Sequence, residues 1–209
     1  MNTEQLIKDL SKEPLHRKAV LSHVRIFWQW LLVSCVFVAA MLAIFGIRPD
    51  LSAKLQDRFF LAEIITLAAI TLSTAFSAAI LSFPDLYQKK TCLYIIPASM
   101  LAFMVSLLFA YLENSSAPLP IHSFICLLCI TMFSIFPAAW MFILLRKQAT
   151  THQKLTGSTA LLAACSIGAL TLRLSEETDS VEHLILWHYL PMIGYMLLGA
   201  WLGKKLLKW

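Results

Sequence analysis

The chain has 209 residues, of which 59% are hydrophobic and 14% charged. An average soluble domain is about one quarter charged, so this composition excludes an ordinary soluble domain and a disordered chain, and points to a polytopic membrane bundle. The net charge of +5 does not point to nucleic acid, because no basic motif with interleaved aromatics is present.

Residues 1–25 read as a tail, and residues 26–209 as the bundle. In the tail, Asn2-Thr3-Glu4-Gln5 has the form of a capping box, in which side chains satisfy the free donors of a helix start. Leu6, Ile7 and Leu10 then fall on one side of a short helix, away from Glu4, Lys8 and Lys12, and Pro14 ends it. A helix this short is marginal without something to pack on. Two supports are open to it, the membrane surface or a groove on a soluble partner. The first apolar run begins after residue 25 and has no small-residue cleavage site behind it, so a retained start is expected.

Ile26–Ile47 contains no charge over 22 residues. At ~1.5 Å per residue it is long enough to cross a hydrocarbon core of ~30 Å. Five further spans are predicted: 59–83, 93–112, 123–145, 155–172 and 184–203. The short connections predict antiparallel neighbours. The basic residues test the topology. Thirteen of the seventeen Lys and Arg fall in the tail, the second and fourth loops and the C-terminal end, and four fall on the other side. Basic residues are retained in the cytoplasm, so both termini are expected there, in a bundle of six transmembrane helices. The opposite side then carries an acidic loop with Glu176, Glu177, Asp179 and Glu182.

Several residues within the spans could carry a role. Ala160, Ala164 and Gly168 recur at four-residue spacing in the fifth span, and Gly199 and Gly203 do so in the sixth. Small residues in register let helix backbones approach, so these predict contact between spans five and six, with a dimer face as the alternative. Glu63 is an acid one turn from the outer end of span two, expected to reach the headgroups or pair with Arg58. His122, Cys126 and Cys129 share a stripe at the outer start of span four, and His183 could join them. Thiolate and imidazole suit zinc or copper(I), while the plain alternative is cysteine packing as a small apolar group. Whether a metal binds stays open at this point. Five cysteines in or beside apolar spans are not a secreted disulfide framework. No phosphate loop, nucleophile motif or cytoplasmic carboxylate pair is present, so neither an enzyme nor a cofactor is expected.

The chain resembles the NrsF family of membrane anti-sigma factors. The likeness is carried by Glu4-Gln5-Leu6-Ile7, Arg48-Pro49-Asp50-Leu51, Phe60-Leu61-Ala62-Glu63, Cys126 with Ser134-Ile135-Phe136-Pro137, Leu155-Thr156-Gly157, Trp187-His188, and Gly199 to Trp209. The resemblance implies a bacterial inner-membrane protein whose tail holds an extracytoplasmic-function sigma factor and releases it on an envelope signal. The expected partners are that sigma factor and the lipid bilayer, with no direct contact to nucleic acid. The alternative is a small transporter or permease subunit, which requires a polar path through the bundle. The family's sensor is a pair of cysteines. Cys126 corresponds to the first, but Arg173-Leu174-Ser175-Glu176-Glu177 stands where the second would lie.

Overall fold

The computed structural model describes residues 4–5, 22–84, 94–113 and 123–208. Among these, six helices are long and apolar enough to cross a bilayer, and there is no strand. They are α1 (His23–Phe45), α2 (Arg58–Leu81), α3 (Ile95–Glu113), α4 (Ser123–Leu145), α5 (Gln153–Ser175) and α6 (Val181–Leu206). A single helical turn, Leu51–Lys54, lies between α1 and α2.

Local chemistry sets the ends of these helices. Ser22 caps α1 by accepting from the Arg25 amide at 3.3 Å, and Asp57 caps α2 by accepting from the Phe59 amide at 2.9 Å. α1 stops at Gly46, whose φ of 89° suits a residue without a Cβ. The fifth helix is longer than the expected 155–172, running on through Arg173 to Ser175. It can continue past the apolar limit because Arg173, although buried, has charged partners.

α5 is the central helix. Nearly all of it from Thr156 to Arg173 is buried, and it packs against α2, α4, α6 and, less extensively, α1. Its small side chains are the reason: Gly157, Ala160, Ala163, Ala164 and Gly168 leave room for four neighbours. α3 packs on α2 and, less extensively, against the start of α6. Sequence neighbours α3 and α4 are therefore not close packing partners, contrary to expectation, because the seats around α5 go to other helices. α1 is held by a few anchors, with only Ile26, Trp30 and Ser34 buried.

Polar side chains also join the helices within the bundle. Trp30 Nε1 donates to the Pro137 carbonyl at 2.9 Å, linking α1 to α4. Thr71 donates to Ser166 at 3.0 Å, and Ser73 pairs with Ser99 at 2.9 Å. Thr131 and Tyr195 bond α4 to α6. Such bonds contribute about 0.6 kcal/mol each in a bundle, so they set register more than stability.

The sixth helix is irregular. Leu184–Tyr189 forms a wide turn closed by i to i+5 bonds, such as Leu190 N–H to the Ile185 carbonyl. Pro191 supplies a cause. It has no N–H for the Trp187 carbonyl, and its ring crowds that carbonyl, so the preceding turn opens.

Candidate functional site

Two linked polar clusters lie at the end of the bundle where α1, α3 and α5 finish and α2, α4 and α6 begin. The first is ionic. Arg173, near the end of α5, binds Glu63 of α2 through Nε at 2.9 Å and Nη2 at 3.3 Å. Tyr189 of α6 donates its hydroxyl to the same carboxylate. Glu63 is 7% exposed and Arg173 3%. Arg173 also reaches Asp179 at 3.0 Å and the Thr178 carbonyl at 2.9 Å. Asp179 is shared with Arg48 at 3.2 Å and Lys54 at 2.6 Å, and Arg48 makes a two-pronged contact with Asp50 at 2.7 and 2.8 Å. The Arg48 amide donates to the Leu174 carbonyl at 3.0 Å. Both guanidiniums lie over the Phe60 ring, 5.2 and 5.0 Å from its centre. Partial burial opposes ionisation of Asp179, but Arg48, Lys54 and Arg173 outweigh it and hold the carboxyl at about 2. The ionic cluster therefore clamps the end of α1 to α5 and to the start of α2.

This corrects the expectation for Glu63. It neither reaches the headgroups nor pairs with Arg58. Arg58 instead contacts Glu113 at 3.4 Å, on the exposed surface. The sequence placed Arg173 in a loop, whereas the structure places it on α5, facing α2. A cavity of about 360 Å³ opens beside this pair, lined by Lys54, Asp57, Ser106 and Ser180 among others.

The second cluster joins Cys126 of α4, Glu176 after α5, and His183 and His188 of α6. One ligand-type atom from each lies within 4.8 Å of all the others. Cys126 Sγ is 3.4 Å from Glu176 Oε1, His188 Nε2 is 3.3 Å from Glu176 Oε2, and His183 Nε2 is 3.8 Å from Glu176 Oε1. The two imidazoles are edge to face, with centres 5.2 Å apart. His183 is 1% and His188 0% exposed, and none of their ring nitrogens makes a hydrogen bond. Burial opposes ionisation of Glu176, but His188, Thr178 and Cys126 more than offset it and leave the carboxyl at about 2.

The sensor residues expected from the helix stripe divide. Cys126 and His183 come together, while Cys129 is half-buried against the apolar core and stands outside the group of four. His122 lies outside the described residues, as do Leu6, Ile7 and Leu10 of the tail. Glu176 and His188 were not expected at this site. His183 and His188 are five residues apart, a spacing that no regular helix brings to one face. Only the wide turn before Pro191 does so.

The close approach of α5 and α6 lies toward the other end. A Cβ on Gly203 would fall 2.2 Å from the Gln153 carbonyl oxygen, and one on Gly199 would fall 2.4 Å from that of Gly157. Gly157, not singled out as a packing residue in the sequence, is thus the counterpart of both. Ala164 sits in a cluster with Leu161 and Ala138, packed by Tyr195 and Leu202 of α6, and Ala160 lies in the core shared with α1, α2 and α4, on which Leu202 also packs. Gly168 is a correction: it faces Ser134 and Ile130 of α4 rather than α6.

No curated protein and no solved structure is significantly similar to this chain. Residues 11–209 match one family, described as NrsF, negative regulator of sigma F. The match runs through every helix of the bundle and through both polar clusters, and so the chain belongs to the NrsF family, the negative regulators of sigma F.

Proposed function

We propose that this multi-pass membrane protein is an anti-sigma factor of a bacterial inner membrane. Its tail, in the cytoplasm, holds an extracytoplasmic-function sigma factor and keeps it from RNA polymerase. The bundle releases it when a metal or oxidative signal reaches the clusters at the outer end. The observation that carries this reading is the family match over residues 11–209 in a chain with six apolar helices. The placement of α1 supports the coupling. The helix follows the tail directly, has few buried anchors along its length, and ends beside Arg48, which is clamped to Asp179.

The docking element is the apolar face Leu6, Ile7 and Leu10. Burying three such side chains in a groove gains roughly 5–8 kcal/mol before ordering costs, enough for reversible capture. The test is co-purification of a sigma factor from the native host with the full-length protein. Leu6→Asp and Leu10→Asp should each lose the partner while the bundle remains inserted and abundant. Lys8→Ala should retain it, since exposed charges contribute under ~1 kcal/mol. Full retention by both Asp variants would exclude the tail as the docking element.

A further inference from the structure

We propose that Cys126, Glu176, His183 and His188 form a binding site for a zinc-type divalent cation. This deepens the sensory part of the function proposed above and rests on that reading only for its biological role.

Four observations converge. The donor set is one thiol, one carboxylate and two imidazoles, drawn from α4, the α5–α6 connection and α6. These are the three ligand types that zinc accepts, and four is the number it takes in a closed site. The carboxylate argues against copper(I), which prefers sulfur and imidazole alone. The spacing fits: a tetrahedron with zinc bonds of ~2.0–2.3 Å has edges of roughly 3.3–3.8 Å. The separations to Glu176 are 3.3, 3.4 and 3.8 Å, and every remaining pair lies within 4.8 Å. Rotamer adjustments of about an ångström would close the set around an ion.

The third observation is the state of the imidazoles. Both are almost fully buried, yet none of their four nitrogens has a hydrogen-bond partner. Oε2 of Glu176 is also buried without one. Buried polar atoms are nearly always satisfied, so two buried imidazoles whose Nδ1 atoms have no partner, and whose Nε2 atoms face the Glu176 carboxylate at 3.8 and 3.3 Å without hydrogen-bond geometry, point to a missing ligand. Fourth, the backbone is shaped for this convergence. On an ordinary helix of ~3.6 residues per turn, residues five apart point about 140° from each other. The wide turn over Leu184–Tyr189 brings His183 and His188 to one side, as wide turns in helices often do at functional sites. Glu176, with 20% of its side chain exposed, connects the cluster to solvent. Binding releases the Cys126 proton to solvent and takes both imidazoles in their neutral form.

The test is metal titration of the full-length protein in detergent after chelator treatment. Zn²⁺, competed against a chromophoric chelator, should bind at one equivalent per chain. Co²⁺ in its place should give the intense d–d bands of a tetrahedral ion and a thiolate charge-transfer band. Cys126→Ser should abolish the charge-transfer band, and Cys126→Ser and His188→Gln should each weaken Zn²⁺ binding at least tenfold. Cys129→Ser should leave both readouts unchanged. If His188→Gln is poorly folded, Cys126→Ser, which differs by one atom, still decides the matter through the cobalt band. Absence of stoichiometric Zn²⁺ binding overturns the proposal, as does binding unaffected by Cys126→Ser. Neither result bears on sigma-factor capture, which the tail variants test separately.

Discussion

Arg173 and Glu63 are the residues on which the ionic end of the bundle turns. Removing one partner of a buried ion pair leaves the other as an uncompensated charge, at a cost of about 3–5 kcal/mol. Arg173→Met should therefore destabilise strongly, because Glu63 would keep only the Tyr189 hydroxyl. The double variant Glu63→Gln with Arg173→Met should recover a substantial part of the loss, since no charge is then left buried. Unfolding titrations in mixed micelles measure both. If the single variant unfolds at the wild-type midpoint, the pair contributes nothing to the fold. The Cys126 cluster differs in kind: the ring nitrogens of its two buried histidines make no hydrogen bond, whereas the Arg173 guanidinium and the Glu63 carboxylate do.

At the scale of elements, the contact between α5 and α6 is backbone against backbone at Gly157, Gly199 and Gly203. Any side chain there drives into a main-chain carbonyl, which cannot swing aside as a flexible side chain would. Gly199→Ala or Gly203→Ala should lower stability by roughly 1–3 kcal/mol, the usual size for overpacking. Gly194 is the internal control. It lies on α6 with nothing within 4 Å of a new Cβ, so Gly194→Ala should be neutral or stabilise by about 0.5–1 kcal/mol through better helix propensity. Thermal unfolding in detergent compares the three, and equal midpoints would show that the close approach does not contribute. The opposite irregularity, the wide turn in α6, sits away from this contact. Tight packing toward one end and an opened helix at the other divide α6 into an anchored part and a part carrying the two histidines.

For the whole molecule, the six helices set one end apart from the other. Among the described residues, the end with Glu176, Glu177, Asp179 and Glu182 carries both polar clusters, and seven of the eleven Lys and Arg lie at the opposite end. We expect a cytoplasm-active reporter fused at Gln88, Gln148 or the C-terminus to give signal, and fusions at Ser115 and Thr178 to give none. Signal at Ser115 would overturn the proposed orientation. On the function proposed above, a signal at the outer clusters would reach the tail through α1, whose end at Gly46 lies two residues from the clamped Arg48.

Much of this was legible in the sequence because the bilayer imposes it locally. Length and apolarity of a stretch decide whether it spans, so all six helices could be placed from composition alone, with boundaries shifted by a few residues. Ends were harder to place. Arg173 looked like a loop residue, and its partners Glu63 on α2 and Asp179 allow α5 to carry it inside the bundle. The small residues of α5 and α6 announced close packing, but which helix each one meets depends on the rotation of α5. That rotation turns Gly168 to α4 and Gly157 to α6. Cys126 and His183 could be named as ligand types, but Glu176 and His188 could not be joined to them. Their convergence requires α4, the α5–α6 connection and an opened helical turn to meet, and no periodicity within one segment encodes a meeting of three. Spans were a property of the chain's local hydrophobicity, whereas the site depended on which helix faces which.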